Sequence, residues 1–210
     1  MMNSKHFRAL GVYGLASRLC ALILRAIGWR VEFLDPLPEK CVIIVYPHTS
    51  NWDFPVGLLT KWATGLTVKG DALQFAGKES LFRSPYGAFF RAVGGFPVDR
   101  SGRTGFVEQM TARFAAEPRL RFVLAPEGTR GFAPHIRSSF YFVAKAANVP
   151  VILGTFDYSG KRVLINELFT PSEDVDADLQ RIDALYRSLA IHGPLGCKNE
   201  NAAPWTFKDK

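Results

Sequence analysis

The stretch "VYPHTSNWDF", residues 45–54, places His48 five positions before Asp53. A histidine whose Nδ1–H is held by a carboxylate has a fixed tautomer, a free Nε2 and electrostatic support for the imidazolium it becomes, which is what a general base needs. The spacing sets a condition. Five residues of regular helix turn through about 500°, so two side chains so placed on one helix point roughly 140° apart. They meet only if His48 stands on a loop and Asp53 on the first turn of the helix that follows. Pro47 ends the preceding run, and Thr49, Ser50 and Asn51 are all suitable N-caps for such a helix. The pair alone leaves two readings open, a catalytic dyad or two unrelated polar residues.

Three further clusters carry chemistry. "LAPEGTRG", residues 124–131, exposes Glu127, Gly128, Thr129 and Arg130 after an apolar run. Gly128 permits a tight turn, and the Arg130 guanidinium offers a planar fork of donors suited to phosphate or carboxylate. "GGFPVDRSGR", residues 94–103, supplies Arg100 and Arg103, and "GKESLF", residues 77–82, places Lys78 where a strand gives way to a loop. Each cluster also has a plain structural reading: a turn with an internal Glu–Arg pair, a solvated arginine loop, a surface lysine.

The elements that must position these residues alternate between strand and helix. "CVIIVYP", "ALQFAGK", "FPVD", "RLRFVLAP" and "VPVILGTFDY" read as strands, and "KRVLINELF" pairs with the last of them through the "SGK" turn. "DFPVGLLTKWAT", "SPYGAFFRAVGG", residues 103–116, "SSFYFVAKAAN" and "SEDVDADLQRIDALYRSLAIH" read as helices, the last acidic at its start and basic at its end. The fold class is therefore α/β: a single domain with a mostly parallel or mixed sheet flanked by helices. All four polar clusters fall at the C-terminal ends of predicted strands, the edge where sites assemble in open α/β sheets.

The chain has 210 residues, which suits one domain, and 26 Lys and Arg against 19 Asp and Glu give a net charge of +7. Such a charge suits an anionic partner. No nucleic-acid-binding module and no basic stripe interleaved with aromatics occurs, so lipid and phosphate are expected rather than nucleic acid. Cys20, Cys41 and Cys197 show no zinc or disulfide spacing. Near the N-terminus, Leu15, Leu19, Leu22, Ile23, Ala26 and Ile27 recur at helical spacing, punctuated by Arg18 and Arg25. That pattern is an amphipathic helix with a basic rim. It is too broken by charge to span a bilayer and lacks a signal-peptide cleavage site. It fits a membrane surface or a dock on its own domain, and the two are compatible. The expected organisation is a membrane-associating helical region over 1–34, the main domain over 35–192 and a mobile Gly-, Pro- and Asn-rich tail over 193–210.

"HTSNWD", "GKESLF", "GGFPVDR", "PEGTR" and "VPVIL" stand in the order and approximate spacing of the glycerolipid acyltransferases, which include the lysophosphatidate (1-acylglycerol-3-phosphate) acyltransferases. The resemblance covers roughly residues 40–155. It implies that His48 and Asp53 are the catalytic pair, that Ser50 and Lys78 lie at the site, that Arg100 binds the acceptor phosphate, and that Glu127, Gly128, Thr129 and Arg130 form the acceptor-binding block. It also implies an acyl-CoA or acyl carrier protein co-substrate and a lysophospholipid acceptor. A thioester is already activated, so no metal or other cofactor is expected, and the basic amphipathic helix is expected to hold the enzyme peripherally on the cytoplasmic face of a membrane. The sequence departs from the family in having Pro47 where many members carry Asn, and in keeping a cation, Arg137, but no glycine after the "EGTR" block. Two competing readings share the same residues: a thioester hydrolase that turns the pair on water, and an inactive lipid-binding scaffold.

Overall fold

Alternating apolar side chains bury both faces of the run that ends at Pro47, and this strand forms the middle of the molecule. The computed structural model describes residues 9–67, 73–83, 85–98 and 103–189. Arg100, His6, His192, Cys197 and the predicted tail lie outside these residues. The elements run α1 (Leu15–Ala26), β1 (Arg30–Phe33), β2 (Lys40–Val45), α2 (Asp53–Ala63), β3 (Leu73–Lys78), α3 (Glu79–Arg83) and α4 (Gly87–Ala92). They continue β4 (Gly95–Val98), α5 (Arg103–Ala116), β5 (Leu120–Leu124), α6 (Ser139–Ala146), β6 (Val151–Asp157), β7 (Arg162–Phe169) and α7 (Val175–Ser188).

The strands make one mixed sheet of seven in the order β1-β7-β6-β2-β5-β3-β4. β2, β3, β4, β5 and β6 are mutually parallel, while β7 returns antiparallel to β6 and carries β1 parallel to itself. Val42 and Ile44 face a core shared with α5, α6 and α7; Cys41, Ile43 and Val45 face a second core shared with α1 and α2. Two elements escape the sequence reading. β1 is a four-residue strand on the sheet edge, and α3 is five residues long, each too short to display a period. Lys78 accordingly gives way to a helix rather than to a loop.

Helix α1 docks on α2 through Ser17, Cys20, Ala21 and Leu24, and the Ser17 hydroxyl donates to the Ala63 carbonyl at 2.9 Å. The apolar stripe read from the sequence is the opposite face: Leu15, Leu19 and Leu22 are 84%, 57% and 59% exposed. No described helix is long and apolar enough to cross a membrane.

At the far end of α2, Lys61 is buried, and its ammonium donates to the Leu73 and Val93 carbonyls at 2.8 and 2.7 Å. Burial pulls its pKa down to about 8. Between that value and the ordinary lysine value of about 10.4, the unfolded chain holds a proton that the folded chain has shed, so stability rises with pH across this window. The thermal midpoint of the wild type, measured relative to Lys61→Met, is therefore expected to climb from pH 8 to pH 10. Parallel curves for the two proteins would refute this assignment.

Candidate active site

The site sits where the chain parts to opposite faces of the sheet. After β2 the chain passes to α2 on one face; after its neighbour β5 it passes to α6 on the other. Such a divergence leaves a crevice at the C-terminal edge of the two strands. His48 hangs from the β2–α2 loop, and Glu127, Gly128, Thr129 and Arg130 from the β5–α6 loop.

The condition set by the spacing is met. Asp53 is the first residue of α2, and His48 Nδ1 lies 2.7 Å from Asp53 Oδ2. Asp53 is 3% exposed and also accepts from the Ser50 N–H at 3.3 Å. Its other oxygen, Oδ1, accepts from the Tyr158 hydroxyl. Nδ1 is thereby engaged, and Nε2 is the ring nitrogen left for a substrate. The expected N-caps are a correction: Trp52 occupies the cap position without a side-chain bond, and the Ser50 hydroxyl instead accepts from the Trp52 N–H at 3.1 Å.

The two loops are stitched together. Glu127 is buried, and its Oε1 accepts from the His48 backbone N–H at 2.8 Å. Arg130 donates to the Asn51 side-chain oxygen. Thr129 is turned inward on its own loop, its hydroxyl accepting from the Gly131 N–H at 3.1 Å. Gly128 has φ +69°, and a Cβ there would fall 2.4 Å from Arg137 Nε, so glycine is required both for the turn and for the arginine lying against it. Neither Arg130 nor Arg137 forms an ion pair with a carboxylate among the described residues. Among the described residues, two guanidinium groups thus line the crevice without a carboxylate ion pair, a setting for an anion.

A cavity of about 1050 Å³ opens from this point, at the upper end of the usual range for ligand pockets. His48, Asp53, Arg130 and Arg137 line its polar part, and Phe54, Leu58, Phe75, Leu81 and Phe90 contribute apolar wall. Phe54 meets Phe75 and Phe90 with ring centroids 5.7 and 5.8 Å apart. Part of the phenylalanine content of the chain is therefore cavity wall as well as core.

A family model described as Acyltransferase matches residues 28–153, more than half of the chain. The chain belongs to the acyltransferase family. This acyltransferase also resembles a solved structure, the 1-acyl-sn-glycerophosphate (LPA) acyltransferase PlsC from Thermotoga maritima. The two share 17% identity over 79% of this chain and 72% of the other, with a TM-score of 0.48. No curated protein matches the acyltransferase.

Of the residues singled out in the sequence, the structure brings together His48, Ser50, Asp53, Glu127, Gly128, Thr129 and Arg130. Lys78 ends β3 on the same edge of the sheet, two strands from β2. Three contributors escaped the sequence reading or were undervalued by it: Tyr158, Asn51 and Arg137. Tyr158 lies 105 residues from Asp53, just past the end of β6. Its position at a parallel-strand terminus is the one signal that marks it in the sequence.

Proposed function

We propose that this enzyme moves a fatty acyl group from an acyl thioester, acyl-CoA or acyl carrier protein, to the hydroxyl of a lysophosphatidate-like glycerolipid at a membrane surface. The observation that carries the reading is the His48–Asp53 contact at one end of an apolar cavity, with Arg130 and Arg137 beside it. A base next to two cations suits an acceptor with a hydroxyl a few ångströms from a phosphate. Water needs no such grip, which favours transfer over hydrolysis. Arg100, which the resemblance assigns to the acceptor phosphate from the separate "GGFPVDR" block, would add to it.

In this mechanism His48 Nε2 takes the hydroxyl proton while the acceptor oxygen attacks the thioester carbonyl. Asp53 stabilises the imidazolium that forms. The tetrahedral intermediate expels a thiolate, and the imidazolium returns the proton to sulfur, so one ester and one thiol replace one alcohol and one thioester. The N–H groups of His48, Ser50 and Trp52 are committed to side chains, so oxyanion stabilisation falls to other amides of the two loops. The thioester is already activated, and the remaining task is positioning, which is worth up to ~7–11 kcal/mol when geometry is good. The acyl chain would follow the phenylalanine-lined wall. The stripe of α1, with Arg18 and Arg25 exposed beside it, would rest on an anionic bilayer.

Thiol release from a long-chain acyl thioester tests the reading. Release is expected to depend on lysophosphatidate and to form phosphatidate. With monoacylglycerol, which has the hydroxyl but not the phosphate, kcat/KM should fall by ~10²-fold, the loss of one or two charge-assisted contacts. Equal rates with both acceptors would remove the arginines from the account. Release at the full rate with no acceptor would identify a hydrolase.

A further inference from the structure

Asp53 has two oxygens, and the histidine uses one. The other is held by Tyr158, on the β6–β7 turn just past the end of the neighbouring strand. We propose that Tyr158 is a positioning residue for the His48–Asp53 pair: its phenol fixes the carboxylate in the plane the imidazole needs and draws off part of its charge, so that it sets how tightly His48 holds a proton. The inference rests on the reading of His48 as the general base.

Tyr158 is itself tightly placed. The Asp157 carboxylate pins the turn by accepting from the Ser159 hydroxyl at 2.9 Å, the Gly160 N–H at 3.1 Å and Arg162 Nε at 2.8 Å. Trp29, at the end of the α1 segment, meets the Tyr158 ring edge-on with centroids 5.2 Å apart and planes at 87°. Lys161, three residues on, donates to the Ile27 carbonyl at 3.0 Å and ties the same turn to the end of α1. The phenol therefore approaches Asp53 from a fixed direction. Burial first, and then the bond to Asp53, push its pKa well above the ordinary 10, with the Ser50 hydroxyl acting in the opposite sense. It is a proton donor over the whole working pH range.

The other ionisable groups around the pair are accounted for among the described residues. Glu127 accepts from the His48 backbone N–H, and its charge also bears on Tyr186 of α7. Arg130 is held by Asn51, and Arg137 and Lys61 line the same cavity. Tyr158 is the side chain that shares the Asp53 carboxylate with the histidine.

The direction of its effect follows. A carboxylate that donors already satisfy gains less from an adjacent imidazolium. With the hydroxyl gone, Asp53 holds the pair's proton more tightly, whether that proton is counted on the ring or on the carboxylate. Tyr158→Phe keeps the ring and its contact with Trp29 and removes one oxygen. The midpoint of the His48 ring titration, followed by NMR in the substrate-free protein and assigned by comparison with His48→Ala, should move up relative to the wild type. The acid limb of the kcat/KM profile should move up with it. At its plateau kcat should fall on the order of 10-fold, with KM for both substrates nearly unchanged. A His48 titration that superimposes on the wild type would overturn the proposal, as would a loss confined to KM. His48→Ala, assayed in parallel, separates the two ideas: full turnover in that variant sinks the general-base reading, while the NMR shift still decides whether Tyr158 controls the pair.

Discussion

His48→Ala is expected to lower kcat by ~10²–10⁴-fold with little change in KM, the usual worth of a positioned general base. In the proposed reading the acceptor's phosphate and the acyl chain would meet Arg130, Arg137 and the phenylalanine wall, none of which the substitution touches, so binding should survive. Asp53→Asn should cost less. The carboxylate faces three donors: His48 Nδ1–H, the Ser50 N–H and the Tyr158 hydroxyl. An asparagine must turn its NH₂ toward one of them. A backbone N–H cannot accept, whereas a phenol can, so the amide oxygen takes the side shared by Ser50 and His48 and the NH₂ takes the side of Tyr158. The histidine tautomer is then preserved and only the negative charge is lost. The expected kcat loss is roughly 10²-fold, and the acid limb moves down, because the imidazolium has lost its counter-charge. This shift is opposite in sign to that expected for Tyr158→Phe. Steady-state rates over pH 5–9 for the three variants check the set; a loss in Asp53→Asn equal to that in His48→Ala would mean that the tautomer had failed as well.

The contrast between Asp53 and Tyr158 shows what this sequence made legible. The β-branched run ending at Pro47 announced β2, and the five-residue spacing required a loop followed by a helix start, which is how His48 and Asp53 meet. The "PEGTR" block could be placed opposite them because it too follows an apolar strand, and parallel strands bring such ends to one edge. Tyr158 obeys the same rule, yet a tyrosine after a strand is equally at home as a core or hairpin residue, and nothing local distinguishes it. Its role depends on β6 lying beside β2, a long-range pairing that no period encodes. Arg137 stands out in the sequence only as a cation kept after the "EGTR" block without the accompanying glycine. Its role depends on Gly128 leaving room for it, a complementarity between residues of one loop that appears only after the loop has folded. In α1 the sequence showed the stripe but not which way it faced, because small residues, Ser17, Cys20 and Ala21, with Leu24, serve the close approach to α2.

That orientation gives the second large effect. In Leu19→Glu/Leu22→Glu, binding to vesicles containing phosphatidylglycerol should fall by at least ~10²-fold. Each leucine loses about 1.5–3 kcal/mol of apolar burial, and 1.4 kcal/mol is a factor of ten. The new carboxylates also oppose the anionic lipid that Arg18 and Arg25 would attract. The fold should be spared, because both side chains are already more than half exposed and the face that packs on α2 is untouched. A thermal midpoint within a few degrees of the wild type is the control for that. Turnover of a short-chain, water-soluble acceptor should be retained, while turnover of a vesicle-borne acceptor should drop with binding. Vesicle binding that survives the double substitution would move the membrane face elsewhere. The exposed Trp52 and Phe132, which adjoin Asn51 and Gly131 in the cavity wall, would then be the side chains to replace next. Loss of both binding and soluble turnover with the fold intact would mean instead that α1 acts on the site, either through α2, on which it docks, or through Trp29 and the Tyr158 turn, which touches the Asp53 carboxylate.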